Sequence, residues 1–373
     1  MMKILRYICL ALIMLNLPAT ALVAFGGTAG SVLSYLTILL LAFYYFLEKK
    51  TEPNWWLLAI AILYFTISSL QYSGSFTFYG LDFIKYLIFV ICGYELAKRV
   101  TANELYVFLF IGALSIGLEA LLLTNDFGRY SGFYLNPNVA GFICIYGYSF
   151  IYGLKSTTLK LIGQFLFTLM GLLTFSRTFI VIWILINLIS LKISVKNIRI
   201  FGIGFLIFST LLVIDETVGL NNPRFEQLKN IVNNENVSTQ EISEDSRTAT
   251  WAKFYDQVLE SPFFGNGYGT FSGKLGVLGA HNTYLMILGE AGIIPFALFL
   301  GYIGFLFYWS YHFFKQSPNL IMQTISLSVF LLANHNFFTF YYMSFSAIWI
   351  QYQIIKLKKE TANETKYLKY DSV

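Results

Sequence analysis

Residues 159–192 read LKLIGQFLFTLMGLLTFSRTFIVIWILINLISLK, and this stretch decides the fold class. Between Lys160 and Lys192 the single charged residue is Arg177. Each flank of that arginine approaches the roughly 20 apolar residues that a membrane-crossing helix takes. Ser176-Arg177-Thr178 then reads as a tight turn between two spans, with lysines at the far end of both.

The same ruler, moved outward, gives apolar segments near 5–24, 29–47, 55–71, 81–97, 103–123, 137–154, 159–175, 178–192, 198–214, 291–311, 319–334 and 337–355. The expected fold is all-α: a polytopic membrane protein with about 12 transmembrane helices. It has one large extracytoplasmic loop containing an interfacial helix. Composition agrees. Of 373 residues, 57% are hydrophobic and only 12% charged, about half the charge that a soluble domain carries. Aromatics make up 18% of the chain, which suits lipid-facing surfaces and interfacial belts. Cys9, Cys92 and Cys144 all sit in apolar runs and show neither a disulfide framework nor metal-ligand spacing.

The net charge of +5 would suit a nucleic-acid ligand if it were clustered, but it alternates loop by loop. Lys3/Arg6, Lys49/Lys50, Lys98/Arg99, Lys155/Lys160, Lys192/Lys196/Arg199, Lys315 and Lys356/Lys358/Lys359 fall in every second connection. The short connections between them are almost free of Lys and Arg. The positive-inside rule puts the basic loops and both termini in the cytoplasm, and the loop-by-loop distribution speaks against nucleic acid as a partner. The amino-terminal stretch through Ala19-Thr20-Ala21 imitates a secretory signal, but it is long enough to be a span and is read as one. The expected division is 1–214 with nine spans, 215–290 extracytoplasmic with a re-entry segment, 291–356 with three spans, and a cytoplasmic tail at 357–373.

Within the large loop, Asn221 to Asp245 is polar and reads as mobile. From Ser246, Trp251, Phe254/Tyr255 and Val258/Leu259 recur at helical spacing until Pro262, the pattern of an amphipathic helix lying on the membrane. Gly265-Asn-Gly267-Tyr-Gly269 follows no βαβ strand, so it reads as a backbone hinge rather than a nucleotide loop.

The candidate chemistry lies in cations on the face where basic residues are depleted. Arg129 stands in Asp126-Phe-Gly-Arg129-Tyr-Ser-Gly-Phe-Tyr-Leu-Asn136-Pro-Asn138, just before a helix that Asn136 or Asn138 can cap. Arg177 stands alone between two spans. Arg247 opens the interfacial helix on the face of Trp251, where it opposes the helix dipole and calls for a compensating anion. Arg224 is a further candidate. Each has a plainer reading: Arg177 snorkelling to headgroups, Arg247 pairing with Asp245 or Glu244. Taken together they suit a diphosphate, which guanidinium groups grip in bidentate fashion. His281, followed by Asn282, lies at the junction of the loop and an apolar helix, where a general base would meet a membrane-held substrate. His335, in Asn334-His-Asn336, is a weaker candidate on the same side, and His312 is cytoplasmic. No outer Asp/Glu/His cluster suggests a metal. Of the charges inside spans, Asp82 and Lys85 have the spacing to neutralise each other, and Glu95, beside Lys98 and Arg99, is expected to be solvated.

In this order and placement, the elements resemble the O-antigen ligase and polymerase family of bacterial surface-polysaccharide assembly. The resemblance rests on Arg129…Asn136-Pro-Asn138, Ser176-Arg177-Thr178, Arg247…Trp251, Ser261-Pro-Phe-Phe-Gly265-Asn-Gly267-Tyr-Gly269, His281-Asn282-Thr-Tyr-Leu and Glu290-Ala-Gly292. It covers the second two-thirds of the chain. It implies an integral-membrane glycosyltransferase that takes a glycan from a polyprenyl-diphosphate-linked oligosaccharide and passes it to an acceptor hydroxyl at the extracytoplasmic surface. No cofactor and no metal are implied. Carried over by resemblance, His281 and Arg247 are the catalytic residues. Arg177, Arg129, Arg224, Asn282, Asn136 and Asn138 bind substrate.

The expected activity is polymerisation of surface-polysaccharide repeat units, whether O-antigen, capsule or exopolysaccharide. The alternative within the class is ligation to a lipid A core, and the alternative outside it is a lipid-linked oligosaccharide transporter. The other implied partners are the acceptor glycan, the bilayer, and a chain-length regulator and flippase of the same pathway.

Overall fold

The computed structural model describes residues 2–122, 129–214, 217, 247–276 and 278–370, with Ile214, Arg247, Thr248 and residues 365–370 described by their backbone alone. The structure is helical (78%), and no strand occurs among the described residues. Sixteen α-helices are used below. They are α1 (Met2–Met14), α2 (Leu17–Phe25), α3 (Gly27–Leu47), α4 (Trp55–Ser68), α5 (Phe76–Arg99), α6 (Ala102–Leu122), α7 (Pro137–Phe150) and α8 (Thr157–Leu173). The others are α9 (Arg177–Ser190), α10 (Arg199–Ile214), α11 (Arg247–Ala252), α12 (Tyr255–Glu260), α13 (Thr283–Ala291), α14 (Ile293–His312), α15 (Pro318–Leu331) and α16 (Tyr341–Tyr370).

Eleven of the twelve apolar segments each fall on one of these helices, and the segment 5–24 is divided between α1 and α2. Among the described residues five helical segments are long and apolar enough to cross a membrane: α3, α5, α6, Val195–Val213 with α10, and α14. The pair α1–α2 makes a sixth if taken as one span bent by 65°. The bend has a local cause: Asn16 adopts φ 53 and Pro18 opens α2, so the hydrogen-bond ladder stops there. Twelve crossings remain the expectation of hydropathy, since α4, α8, α9 and α15 are apolar but shorter.

The short helices surround a centre. α7 is buried from Val139 to Phe150, because α6, α8, α9 and α15 pack around it. A helix apolar on every side has no alternative to such a position. Around this centre the two ends of the bundle differ. At one end Arg6 pairs with Glu104 at 2.5 Å, Arg99 with Glu48 at 3.3 Å and Lys98 with Glu95 at 2.8 Å. Glu95 is 2% exposed, not solvated as its basic neighbours suggested. Its Oε1 accepts from the Thr51 amide (3.0 Å) and hydroxyl (2.9 Å) as well as from Lys98, so the charge is paired inside the protein, while Oε2 is buried without a hydrogen bond.

At the other end of α6, the Glu119 carboxylate accepts from the amides of Ser131 and Gly132, both at 2.6 Å. The basic end at Glu104 and the loop gripped by Glu119 are therefore separated by most of α6, roughly 22 Å at 1.5 Å per residue. Asp82 and Lys85 do not neutralise each other. Asp82 pairs with Lys274 at 2.6 Å and accepts from the Tyr268 hydroxyl at 2.7 Å, while Lys85 sits over the Tyr35 ring, 4.0 Å from its centroid.

Two features of the loop after residue 246 differ from the expectation. The amphipathic stretch is two short helices, α11 and α12, broken at Lys253-Phe254. Phe254 is buried, 4.9 Å from the Phe271 ring, while Leu259 is 75% exposed, so the apolar residues do not share one face. The glycine run is a docked strap, not a hinge. The amides of Asn266, Gly267 and Tyr268 donate to the carbonyls of Gly289 (2.7 Å), Glu290 (3.1 Å) and Ser68 (2.9 Å). Glu290, wholly buried, accepts from the amides of Phe271 (2.9 Å) and Ser272 (2.6 Å) and from the Tyr64 hydroxyl.

The contact leaves no room for a β-carbon at Gly292, where φ is 78° and an added Cβ would lie 2.1 Å from the Phe263 carbonyl oxygen. Gly292→Ala combines a glycine-only backbone region with a backbone clash, and is expected to cost at least about 3 kcal/mol. Abundance in membranes and thermal stability in detergent check this. A variant as stable as the wild type would contradict the docking.

Candidate active site

The loop of residues 129–136 is stitched to its surroundings. Besides the grip of Glu119, the Ser115 hydroxyl accepts from the Phe133 amide (3.1 Å), and the Tyr134 hydroxyl donates to the Met14 carbonyl (2.8 Å). The Thr20 hydroxyl donates to the Phe133 carbonyl at 2.7 Å. Arg129 thereby stands on a fixed base. Its Nε donates to the Thr174 carbonyl (3.3 Å) and its Nη2 to Asn138 Oδ1 (3.4 Å). The same Asn138 oxygen accepts from the Ser176 hydroxyl at 3.1 Å. One asparagine thus joins the Arg129 loop to the turn that carries Arg177.

Three helices begin at this place, each with a side-chain cap, of which the sequence reading expected the first. Asn136 Oδ1 accepts from the amides of Asn138 and Val139 at the start of α7. Ser176 Oγ accepts from Phe179 at the start of α9. Asn282 Oδ1 accepts from Leu285 at 3.1 Å at the start of α13. Helix amino termini carry partial positive charge and unpaired amides, so the field where they converge favours an anion.

They converge on a cavity of about 800 Å³. Its wall includes Arg129, Asn136, Asn138, Arg177 and His281. Asn282 is not part of it. That side chain is 6% exposed and committed to capping α13. Arg224 lies outside the described residues. For Arg247 the structure gives the backbone, which opens α11 one turn before Trp251, and Thr250 and Trp251 both line the cavity. The wall also holds residues that the sequence did not single out: Asn16 and Ala19 at the α1–α2 bend, and Leu332, Asn334, Asn336 and Phe340 between α15 and α16. The polar triplet Asn334-His335-Asn336 between two apolar runs was the legible signal for the second group. Nothing in the first hundred residues marked Asn16.

Backbone strain marks the same cavity. Among the described residues four non-glycine positions have positive φ: Asn16 (53°), Leu135 (58°), Phe175 (48°) and His281 (48°). All four line it. Strain of this kind costs on the order of 1–3 kcal/mol per residue, least for asparagine, and persists where the surroundings over-determine the backbone. Leu135 and Phe175 immediately precede the caps of α7 and α9, and His281 precedes the cap of α13. At each corner the chain turns sharply so that a helix starts at the cavity.

His281 is exposed to the cavity, with its ring 4.8 Å from that of His335 at an angle of 49°. The His281 amide donates to His335 Nδ1 at 3.0 Å. Burial, followed by the nearby His281 and Lys274, pushes the His335 imidazole down to about 4, against a hydrogen bond with the Ser272 backbone that works the other way. With Nδ1 accepting, the proton of neutral His335 sits on Nε2.

The lowered value is a linkage statement. The unfolded chain binds a proton near pH 6.5 and the folded one only near pH 4. Stability from this group is therefore intact above pH 6.5 and lost as pH falls from 6.5 to 4, by at most roughly 3 kcal/mol. Thermal midpoints of the detergent-solubilised protein are expected to drop over that window, and less so in His335→Asn. Equal drops would refute the assignment.

The fold and site define an integral membrane protein with an anion-attracting cavity at one end of a helical bundle. Residues 162–300 match the family model described as O-antigen ligase, and in that segment the chain is similar to the O-antigen ligase/polymerase family. The matched segment contains Arg177, Arg224, Arg247, Trp251 and His281. A search of curated proteins gives no match.

Proposed function

We propose that the protein transfers a glycan from a polyprenyl-diphosphate-linked oligosaccharide to an acceptor hydroxyl at the extracytoplasmic surface of the bacterial plasma membrane, polymerising surface-polysaccharide repeat units. One observation carries this reading: Arg129, Arg177 and His281, remote in sequence, line one cavity into which the amino termini of α7, α9 and α13 point. The basic end of the bundle, with Arg6, Lys98 and Arg99, faces the cytoplasm by the positive-inside rule. The cavity at the far end of α6 then opens to the outer side.

In the proposed step His281 takes the proton of the acceptor hydroxyl as its oxygen bonds to the anomeric carbon of the donor. The bond from that carbon to the diphosphate oxygen breaks, and the electron pair leaves with the polyprenyl diphosphate. Negative charge grows on the leaving group, where Arg177, Arg129 and the helix termini stabilise it in place, with Arg247 and Arg224 assisting. Permanent guanidinium charges can do this without a divalent ion, so the proposed activity is metal-independent. A transporter would instead present its polar residues near the bilayer midplane, whereas these sit at one end.

The test is purified full-length protein in nanodiscs with a polyprenyl-diphosphate glycan, with and without lipid A core acceptor and with and without EDTA. Longer lipid-linked chains support polymerisation. Product formed only on adding the core assigns ligation instead. Donor recovered unchanged in every arm overturns the reading, and loss of activity in EDTA overturns metal independence.

A further inference from the structure

We propose that His335 is a positioning residue for His281, holding it at a left-handed backbone angle so that the imidazole faces the cavity. This rests on the reading of His281 as the group that takes the acceptor proton. The observation is the bond from the His281 amide to His335 Nδ1, 3.0 Å long, made at the residue where φ is 48°. At two other positive-φ positions the amide stays on its own turn, Asn16 donating to the Ile13 carbonyl (3.4 Å) and Phe175 to the Leu172 carbonyl (2.9 Å), whereas the His281 amide is held by a buried side chain from a distant segment.

The surroundings hold His335 for this purpose. It is 9% exposed, and the space where Gly279 would carry a β-carbon is filled by its ring, with Cε1 2.7 Å from that point. Glycine at 279 is therefore what allows the second imidazole to lie beneath the 279–281 turn. The turn is fastened on both sides of His281. The Ala280 amide donates to the Phe271 carbonyl at 2.8 Å, and the Thr283 hydroxyl to the Asn334 carbonyl at 2.6 Å. The segment before α16 thus fixes the segment before α13 at two points, the histidine pair and the Thr283–Asn334 bond, while the Phe271 carbonyl holds the turn from the other side. Burial lowers the His335 imidazole to about 4, so at neutral pH it is uncharged and its Nδ1 is free to accept the His281 amide.

A side chain that matters as an acceptor at one place has a specific substitution pattern. Asparagine puts Oδ1 as many bonds from the backbone as Nδ1, while glutamine carries its oxygen one atom farther and alanine carries none. In nanodisc assays with the polyprenyl-diphosphate glycan, His335→Asn is expected to keep kcat within about threefold of wild type. His335→Gln and His335→Ala are expected to lose at least about tenfold in kcat, with the donor KM unchanged, since a displaced base slows chemistry without loosening the diphosphate grip. A merely structural histidine would lower the amount of folded protein and leave the kcat of what remains.

The proposal is overturned if His335→Ala keeps wild-type kcat while His281→Ala is inactive, if Asn, Gln and Ala fall equally, or if KM alone changes. A fully active His281→Ala would instead remove the underlying reading of His281.

Discussion

Replacing His281 by alanine is expected to lower the rate of glycan transfer by roughly 10²–10⁴-fold while leaving the protein inserted and abundant. The size follows from the role. An acceptor hydroxyl is a weak nucleophile at neutral pH, and a positioned base contributes about that much to its deprotonation. Folding should survive, because His281 faces the cavity and its main-chain amide, present in any variant, makes the bond to His335. His281→Asn is the sharper control. Asparagine tolerates positive φ as readily as any side-chain-bearing residue, so it keeps the turn and removes only the base. Transfer assays with detergent-purified proteins, normalised to folded protein, separate the outcomes. Alanine and asparagine variants with more than about a third of the wild-type rate would remove His281 from the chemistry.

The second large effect is expected at Arg177. Alanine there should cost roughly 10²–10³-fold, comparable to removing one fixed donor from a developing anion. Lysine should recover only part of this, since an ammonium cannot reproduce the planar fork. The same comparison applies to Arg247, which opens α11 next to the cavity-lining Thr250 and Trp251. Stability gives the discriminating readout. Arg177 occupies the first position of α9, where a cation opposes the helix dipole by about 0.3–1 kcal/mol. The helix itself does not ask for a cation there, so Arg177→Ala should remain folded while activity collapses. If lysine serves as well as arginine at both positions, bidentate phosphate recognition is wrong. If Arg177→Ala unfolds with no loss of specific activity, the residue is structural.

The two ends of the argument were unequally legible. The run around Arg177 showed two apolar segments with one cation between them, and the structure puts that cation at the start of α9, on the cavity wall. Asn136, before Pro137, could be read as a cap because capping is local: the side chain bonds to amides two or three residues on. Asn282 shows the limit of such reading. Its place beside His281 suggested substrate contact, yet its oxygen is spent on the Leu285 amide. The glycine run suggested a hinge because glycine permits many angles. In the folded chain Gly265 and Gly267 are required for lack of space, with added β-carbons 2.3 and 2.5 Å from backbone atoms of Glu290 and Gln71.

By itself the sequence determined that this is a helical membrane protein with a few arginines set apart from its basic loops. Hydropathy and charge are additive along a chain, and each residue contributes whatever its neighbours in space happen to be. Only the tertiary structure decided that the Arg129 loop, the Arg177 turn and the His281 turn share one cavity, that Asp82 answers Lys274 rather than Lys85, and that His335 lies under His281. Those are pairings between segments tens to hundreds of residues apart. They are set by which helices pack against α7 and by the few ångströms of room that a glycine leaves.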